Sequence, residues 1–183
     1  MAVRPVRIYG DPVLRKRTNE VTTFDESLRQ LICDMYDTMK LYNGVGLAAN
    51  QVGVSQRVLV VDVPIDDERR ESFALVNPVL SDPAGGETGE EGCLSIPGIY
   101  EDVRRALKVR IKAQNEHGQP VDRMVEGYLA RAIQHEVDHL DGVLFIDRLS
   151  VLKRQFLKRP LEALARGELP EGYPPAGATG AAG

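Results

Sequence analysis

The sequence predicts an α+β fold, with antiparallel β-sheets packed around a central helix, a second helix near the N-terminus and a third near the C-terminus. Three observations lead there. Apolar residues recur at helical spacing over about residues 25–41 and again over about 126–141, so each segment has one face to bury. Between them lie β-branched or alternating stretches, RVLVVDV (57–63) and ALKVRIKA (106–113). Strands therefore cluster instead of alternating strictly with helices, which favours antiparallel sheet over a βαβ array. At 183 residues, with 43% hydrophobic and 27% charged, the chain suits one well-packed domain of ordinary globular type.

The first helix is expected from about Asp25 to Leu41. Phe24, Leu28, Leu31, Ile32, Met35 and Met39 share a face, and Thr23 with Glu26 has the form of a capping box. Cys33 lies within this helix and is expected as buried packing. A glycine-rich loop, NGVGLAANQVG, precedes a buried strand from Arg57 to Val63. A further strand is expected from Phe73 to Leu80, with Pro78 pointing to an edge or a bulge. From Ala106 to Ala113, Leu107, Val109, Ile111 and Ala113 face one way and Lys108, Arg110 and Lys112 the other. NEHGQP supplies a turn, with His117 exposed in it. The central helix starts near Glu126 and ends at Asp141-Gly142, where glycine can cap it. A last helix begins near Ser150, and Pro160 should interrupt or kink it. We take residues 1–166 as a single catalytic domain and 167–183, rich in Pro, Gly and Ala, as a disordered tail.

Composition narrows the function. A formal charge of -4 gives no reason to expect a nucleic-acid partner. The N-terminus has no apolar core of signal-peptide length, and no run could span a bilayer, so a cytoplasmic location and no membrane partner are expected. The two cysteines, Cys33 and Cys93, are then expected to be reduced.

The chemistry is concentrated in QHEVDHLDG (134–142). His135 and His139 stand one helical turn apart, about 5–6 Å at Cβ, so both imidazoles can reach one cation. Glu136 is rotated from His135 by about 100 degrees, which places it beside the ion, within reach of a water. The central helix is thus read as the metal-binding helix. A third ligand is needed, and Cys93 and His117 are the candidates. A closed structural site normally has four Cys or His ligands. Three ligands leave a position for solvent, and an open position implies catalysis.

Three stretches, GVGLAANQ (44–51), EGCLS (91–95) and HEVDHLDG (135–142), together resemble the three signature motifs of the peptide deformylases, and GDPVLR (10–15) is also similar to that family, in order through roughly residues 4–150. That resemblance implies hydrolysis of the N-formyl group from the N-terminal formylmethionine of new proteins, releasing formate. It implies Cys93, His135 and His139 as metal ligands and Glu136 as the acid/base. The Gln51 side-chain amide and the Leu94 backbone N–H become the oxyanion donors. Val45, Gly46, Gly92, Tyr128 and Ala132 become substrate-binding residues, with Gly46 letting an extended peptide approach closely. Arg131 lies on the same helix with its pocket role open. The family implies Fe2+, with Zn2+, Ni2+ or Co2+ able to replace it, and N-formylmethionyl nascent peptides as substrates with transient ribosome association. A metallopeptidase and a metal-stabilised binding module are the competing readings of H-E-x-x-H alone.

Overall fold

The structure is a computed structural model that describes residues 2–178. Helix α1 spans Glu26–Leu41, β1 Gly46–Ala48, β2 Val58–Pro64, β3 Arg70–Ala84, β4 Glu87–Cys93, β5 Ile96–Arg105, β6 Lys108–Gln114 and β7 Pro120–Glu126. Helix α2 spans Gly127–Leu140 and α3 Val151–Ala165. Five strands form an antiparallel sheet in the order β1-β2-β3-β6-β7, while β4 and β5 form a separate hairpin. The α+β architecture read from the sequence is the one observed.

Strand β2 explains why its sequence is so continuously apolar. Leu59, Val61 and Val63 pack on α2 with Leu75, Val109, Ile111, Leu129, Ile133 and Leu140. Val58 and Val60 face the opposite side, where Leu28, Leu31, Ile32, Met35 and Met39 of α1 cover them. A strand buried on both faces loses the period-two polar alternation of a half-exposed one. The helix α2 is consequently held in the interior, with Ile133 and Leu140 fully buried. Burial of each such side chain contributes about 1.5–3 kcal/mol relative to exposure. A third apolar cluster, including Ile96, Val103, Phe145, Leu161 and Leu164, joins β5 to α3.

Several local expectations change. Cys33 is exposed, because it falls opposite the stripe of Leu28, Ile32, Met35 and Met39 that α1 buries. The N-cap of α1 is Asp25, whose carboxylate accepts from the Leu28 N–H, in place of a Thr23–Glu26 box. Pro160 does not interrupt α3, which runs through it. Pro160 and Phe156, whose carbonyl loses its donor, are both exposed, so water can satisfy that carbonyl. At Pro78 the β3–β6 register shifts between Val76 and Val79, which accommodates the missing donor.

The described part of the tail, 167–178, makes specific contacts with the body of the fold. Ala178 is 2% exposed in a cluster with Val6 and Tyr42, and Tyr173 is half-buried. Tyr173 supplies the physical reason, because its ring and hydroxyl both find partners on the body of the fold. Residues 179–183 lie outside the described residues. Among the described residues no helix is long and apolar enough to cross a membrane.

Candidate metal centre and substrate cleft

Helix α2 brings His135, Glu136 and His139 to the interior, and the β4–β5 hairpin delivers Cys93 to them from the other side. Leu94 and Ser95 form the hairpin tip, immediately after Cys93. The Cys93 Sγ lies 3.1 Å from His139 Nε2, and His139 Nε2 lies 3.2 Å from His135 Nε2. The three donor atoms are all within 4.8 Å of one another. His117 stays in its exposed turn beside Glu116. Of the two candidates for a third donor, the structure therefore brings in Cys93.

The hydrogen bonding shows that this trio suits a cation. His135 Nδ1 lies 2.9 Å from Glu91 Oε2. An ionised carboxylate only accepts, so Nδ1 carries the proton and Nε2 directs a lone pair towards Cys93 and His139. Burial raises the Glu91 carboxyl, but Arg105 and His135 outweigh it and hold the group at about 2, so it is ionised. His139 is driven well below its usual value by burial and by His135 and Arg105, which keeps its imidazole neutral. Burial lowers His135, yet its contacts with Cys93 and Glu91 carry it well above the ordinary histidine value. A divalent ion would compete directly with the extra proton on Nε2. One thiolate and two imidazoles form a donor set that fits zinc, iron, cobalt or nickel.

Glu91 is the residue that sequence reading missed. It is 6% exposed and accepts from Arg105 Nε at 2.8 Å, Arg105 Nη2 at 2.9 Å and Arg131 Nη1 at 2.9 Å. Arg105 also bonds Asp138 at 2.6 Å, and Arg148 closes that end of the network. Arg131 further donates to the Val103 and Glu87 carbonyls, both at 2.8 Å. Its guanidinium is therefore occupied in joining α2 to the hairpin. In sequence nothing separates Glu91 from Glu90: the alternation that puts Glu91 inward exists only once β4 pairs with β5.

Glu136 is 5% exposed, and its Oε2 has no hydrogen-bond partner among the described residues. Burial pushes its carboxyl up to about 7, opposed by His135 and reinforced by Glu91. The backbone of β1 passes directly over it. A Cβ on Gly46 would come within 2.5 Å of Glu136 Oε1. Gln51, in the 3-10 turn Ala49–Val52, is held in one orientation because its Oε1 accepts from the Ala48 N–H at 2.9 Å. Its amide Nε2 then points to Ser95 Oγ at 3.2 Å and Cys93 Sγ at 3.6 Å.

A cleft of about 560 Å³ opens over this centre. Val45, Gly46, Gln51, Gly92, Cys93, Leu94, Tyr128, Ala132, His135 and Glu136 all line it, whereas His139 lies behind His135 at 1% exposure. Tyr42, Tyr100 and the tail residues Pro170–Tyr173 line it too, and the sequence alone assigns none of these to the site.

Comparison with known proteins agrees in sequence and in shape. The family model described as polypeptide deformylase matches residues 3–155. A peptide deformylase of Alkalilimnicola ehrlichii is 48% identical over 166 residues, covering 91% of this chain and 93% of its own. The crystal structure of a peptide deformylase from Legionella pneumophila is 46% identical with a TM-score of 0.83, covering 92% of this chain and 100% of that one. The Thermus thermophilus peptide deformylase structure is 42% identical with a TM-score of 0.84, covering 90% and 99%. With a family model over residues 3–155 and relatives of this identity and coverage, the chain belongs to the polypeptide deformylase family.

Proposed function

We propose that Cys93, His135 and His139 hold one divalent cation, Fe2+ in the cell, while Glu136 moves the protons of the hydrolysis. The enzyme removes the N-formyl group from nascent peptides, the activity of its family. The convergence of one sulfur and two imidazole nitrogens within 4.8 Å carries this reading. Zn2+, Ni2+ or Co2+ would fit the same donors. A cation there would lower the pKa of a bound water towards neutrality and polarise the formyl carbonyl.

The chain's own residues account for the remaining work. Glu136, buried and with Oε2 unpartnered, takes a proton from the attacking water. As the formyl carbon becomes tetrahedral, its oxygen gains charge and needs donors. Gln51 Nε2 and the Leu94 N–H fill that role, with Gln51 oriented in advance by Ala48. Glu136 then passes the proton to the departing amine, and formate and a free N-terminus remain. Val45, Gly46, Gly92, Tyr128 and Ala132 receive the methionine and the peptide that follows it. Transient ribosome association and a cytoplasmic location follow from a substrate that is still being synthesised.

Formate release from formyl-Met-Ala-Ser, beside an unformylated control, tests the activity. Release of formate with every peptide bond intact supports it; cleavage of either peptide internally contradicts it. Replacing Gln51 by Ala is expected to lower kcat by about 10²–10³-fold, the usual effect of losing one oxyanion donor. Steady-state kinetics at saturating substrate would reveal this, and an unchanged kcat would remove Gln51 from the role. Gly46→Ala is expected to cost about a hundredfold in kcat, because the new methyl must displace the Glu136 carboxylate. Wild-type kcat in that variant would mean Glu136 tolerates displacement.

A further inference from the structure

The tail ELPEGYPPAGATGAAG carries one aromatic residue, Tyr173, among prolines, glycines and alanines. Such a segment has little apolar surface with which to offset the entropy of ordering it. Residues 168–178 nevertheless form a strap along the cleft, with 170–173 lining it. Pro170 lies over Gly98, where a Cβ would meet its Cγ at 3.2 Å. Tyr173 meets Tyr42 edge-on, with ring centroids 5.5 Å apart, and Ala178 is buried beside Val6. Between these anchors the Tyr173 hydroxyl donates to the Leu94 carbonyl at 2.5 Å.

We propose that Tyr173 is a positioning residue of the active site, holding the tip of the β4–β5 hairpin through the Leu94 carbonyl. This rests on the roles given above to Cys93 and Leu94. The tip has two residues, and each carbonyl has one tether. The Ser95 carbonyl accepts from the Tyr9 N–H at 2.8 Å, and the Leu94 carbonyl accepts from Tyr173. The Leu94–Ser95 peptide is joined through the Leu94 Cα to the Cys93–Leu94 peptide, which carries the N–H assigned to the oxyanion. Rotation of the first peptide turns the second. Without the phenol, the Leu94 carbonyl must turn to solvent for a partner, and the donor next to the Cys93 ligand loses its fixed direction. Apolar packing of the strap alone would not require a hydroxyl at this point.

Tyr173→Phe in the full chain, loaded with metal, separates positioning from packing because it keeps the ring against Tyr42. With formyl-Met-Ala-Ser, kcat is expected to fall about three- to tenfold, the effect of one lost hydrogen bond, with KM changed less than about twofold. Metal content should match the wild type, and the melting temperature should fall by no more than about 5 °C, the cost of one hydrogen bond. Tyr173→Ala, which also loses the ring, should lower kcat at least as far. Unchanged kcat in Tyr173→Phe overturns the proposal, as does a rise in KM alone, which would make the strap only a wall for the peptide. A loss fully explained by missing metal or unfolding also overturns it. Failure of the wild type to release formate would instead strike the deformylase roles on which the proposal rests.

Discussion

Glu136→Gln is expected to lower kcat by about 10²–10⁴-fold while the bound metal stays at the wild-type level. The substitution preserves the shape of the side chain under Gly46, so the backbone of β1 needs no adjustment. It removes the carboxylate proposed to accept the water proton and later return it. Glu136 is not among the three converging donors, so its loss leaves Cys93, His135 and His139 in place. Metal analysis beside single-turnover kinetics checks both halves. Near-normal turnover would remove Glu136 from proton transfer, and loss of metal together with activity would make it a ligand or a ligand support. A binding module with a structural Glu136 would show no turnover in either protein.

Glu91→Ala is expected to damage both stability and metal retention. In the wild type one buried carboxylate serves two buried guanidiniums and one imidazole. Removing it leaves Arg131 without its carboxylate partner and Arg105 with Asp138 alone. Breaking a buried ion pair by removal of one partner costs about 3–5 kcal/mol. His135 also loses the acceptor that fixes its tautomer, and such losses weaken metal affinity by about 10–100-fold. Denaturant unfolding of the variant and competition with a chelator would measure the two effects separately. Glu91→Gln, which still offers His135 a carbonyl oxygen, should keep more metal than Glu91→Ala. Equal retention in both would show that the imidazole needs no acceptor there.

The parts of the site that sequence reveals are those in which neighbouring residues share a task. His135, Glu136 and His139 lie within five positions on one helix, so helical geometry alone predicts their convergence. Cys93 required the family resemblance, because its partners are more than forty positions away and His117 was an equal candidate on residue type. The hairpin that carries Cys93 was not predicted. ETGEEGC is glycine-rich and acidic, and its extended form depends on pairing with β5. Glu90 and Glu91 look equivalent in sequence; only the pairing turns Glu91 inward to meet Arg105, Arg131 and His135. Cys33 was misplaced for a related reason, since a lone apolar residue near a hydrophobic stripe need not lie on it. In the tail, Pro, Gly and Ala outweighed a single tyrosine whose partners, Tyr42 and Leu94, are remote in the chain.

The whole mechanism depends on a cation bound by one sulfur and two nitrogens with room left for solvent. X-ray absorption at the metal edge of anaerobically purified protein measures that shell directly. One sulfur and two imidazole nitrogens, joined by a light atom that a small anion can displace, is the expected result. A spectrum without sulfur, or one with a fourth protein ligand that no added anion can exchange, would contradict it.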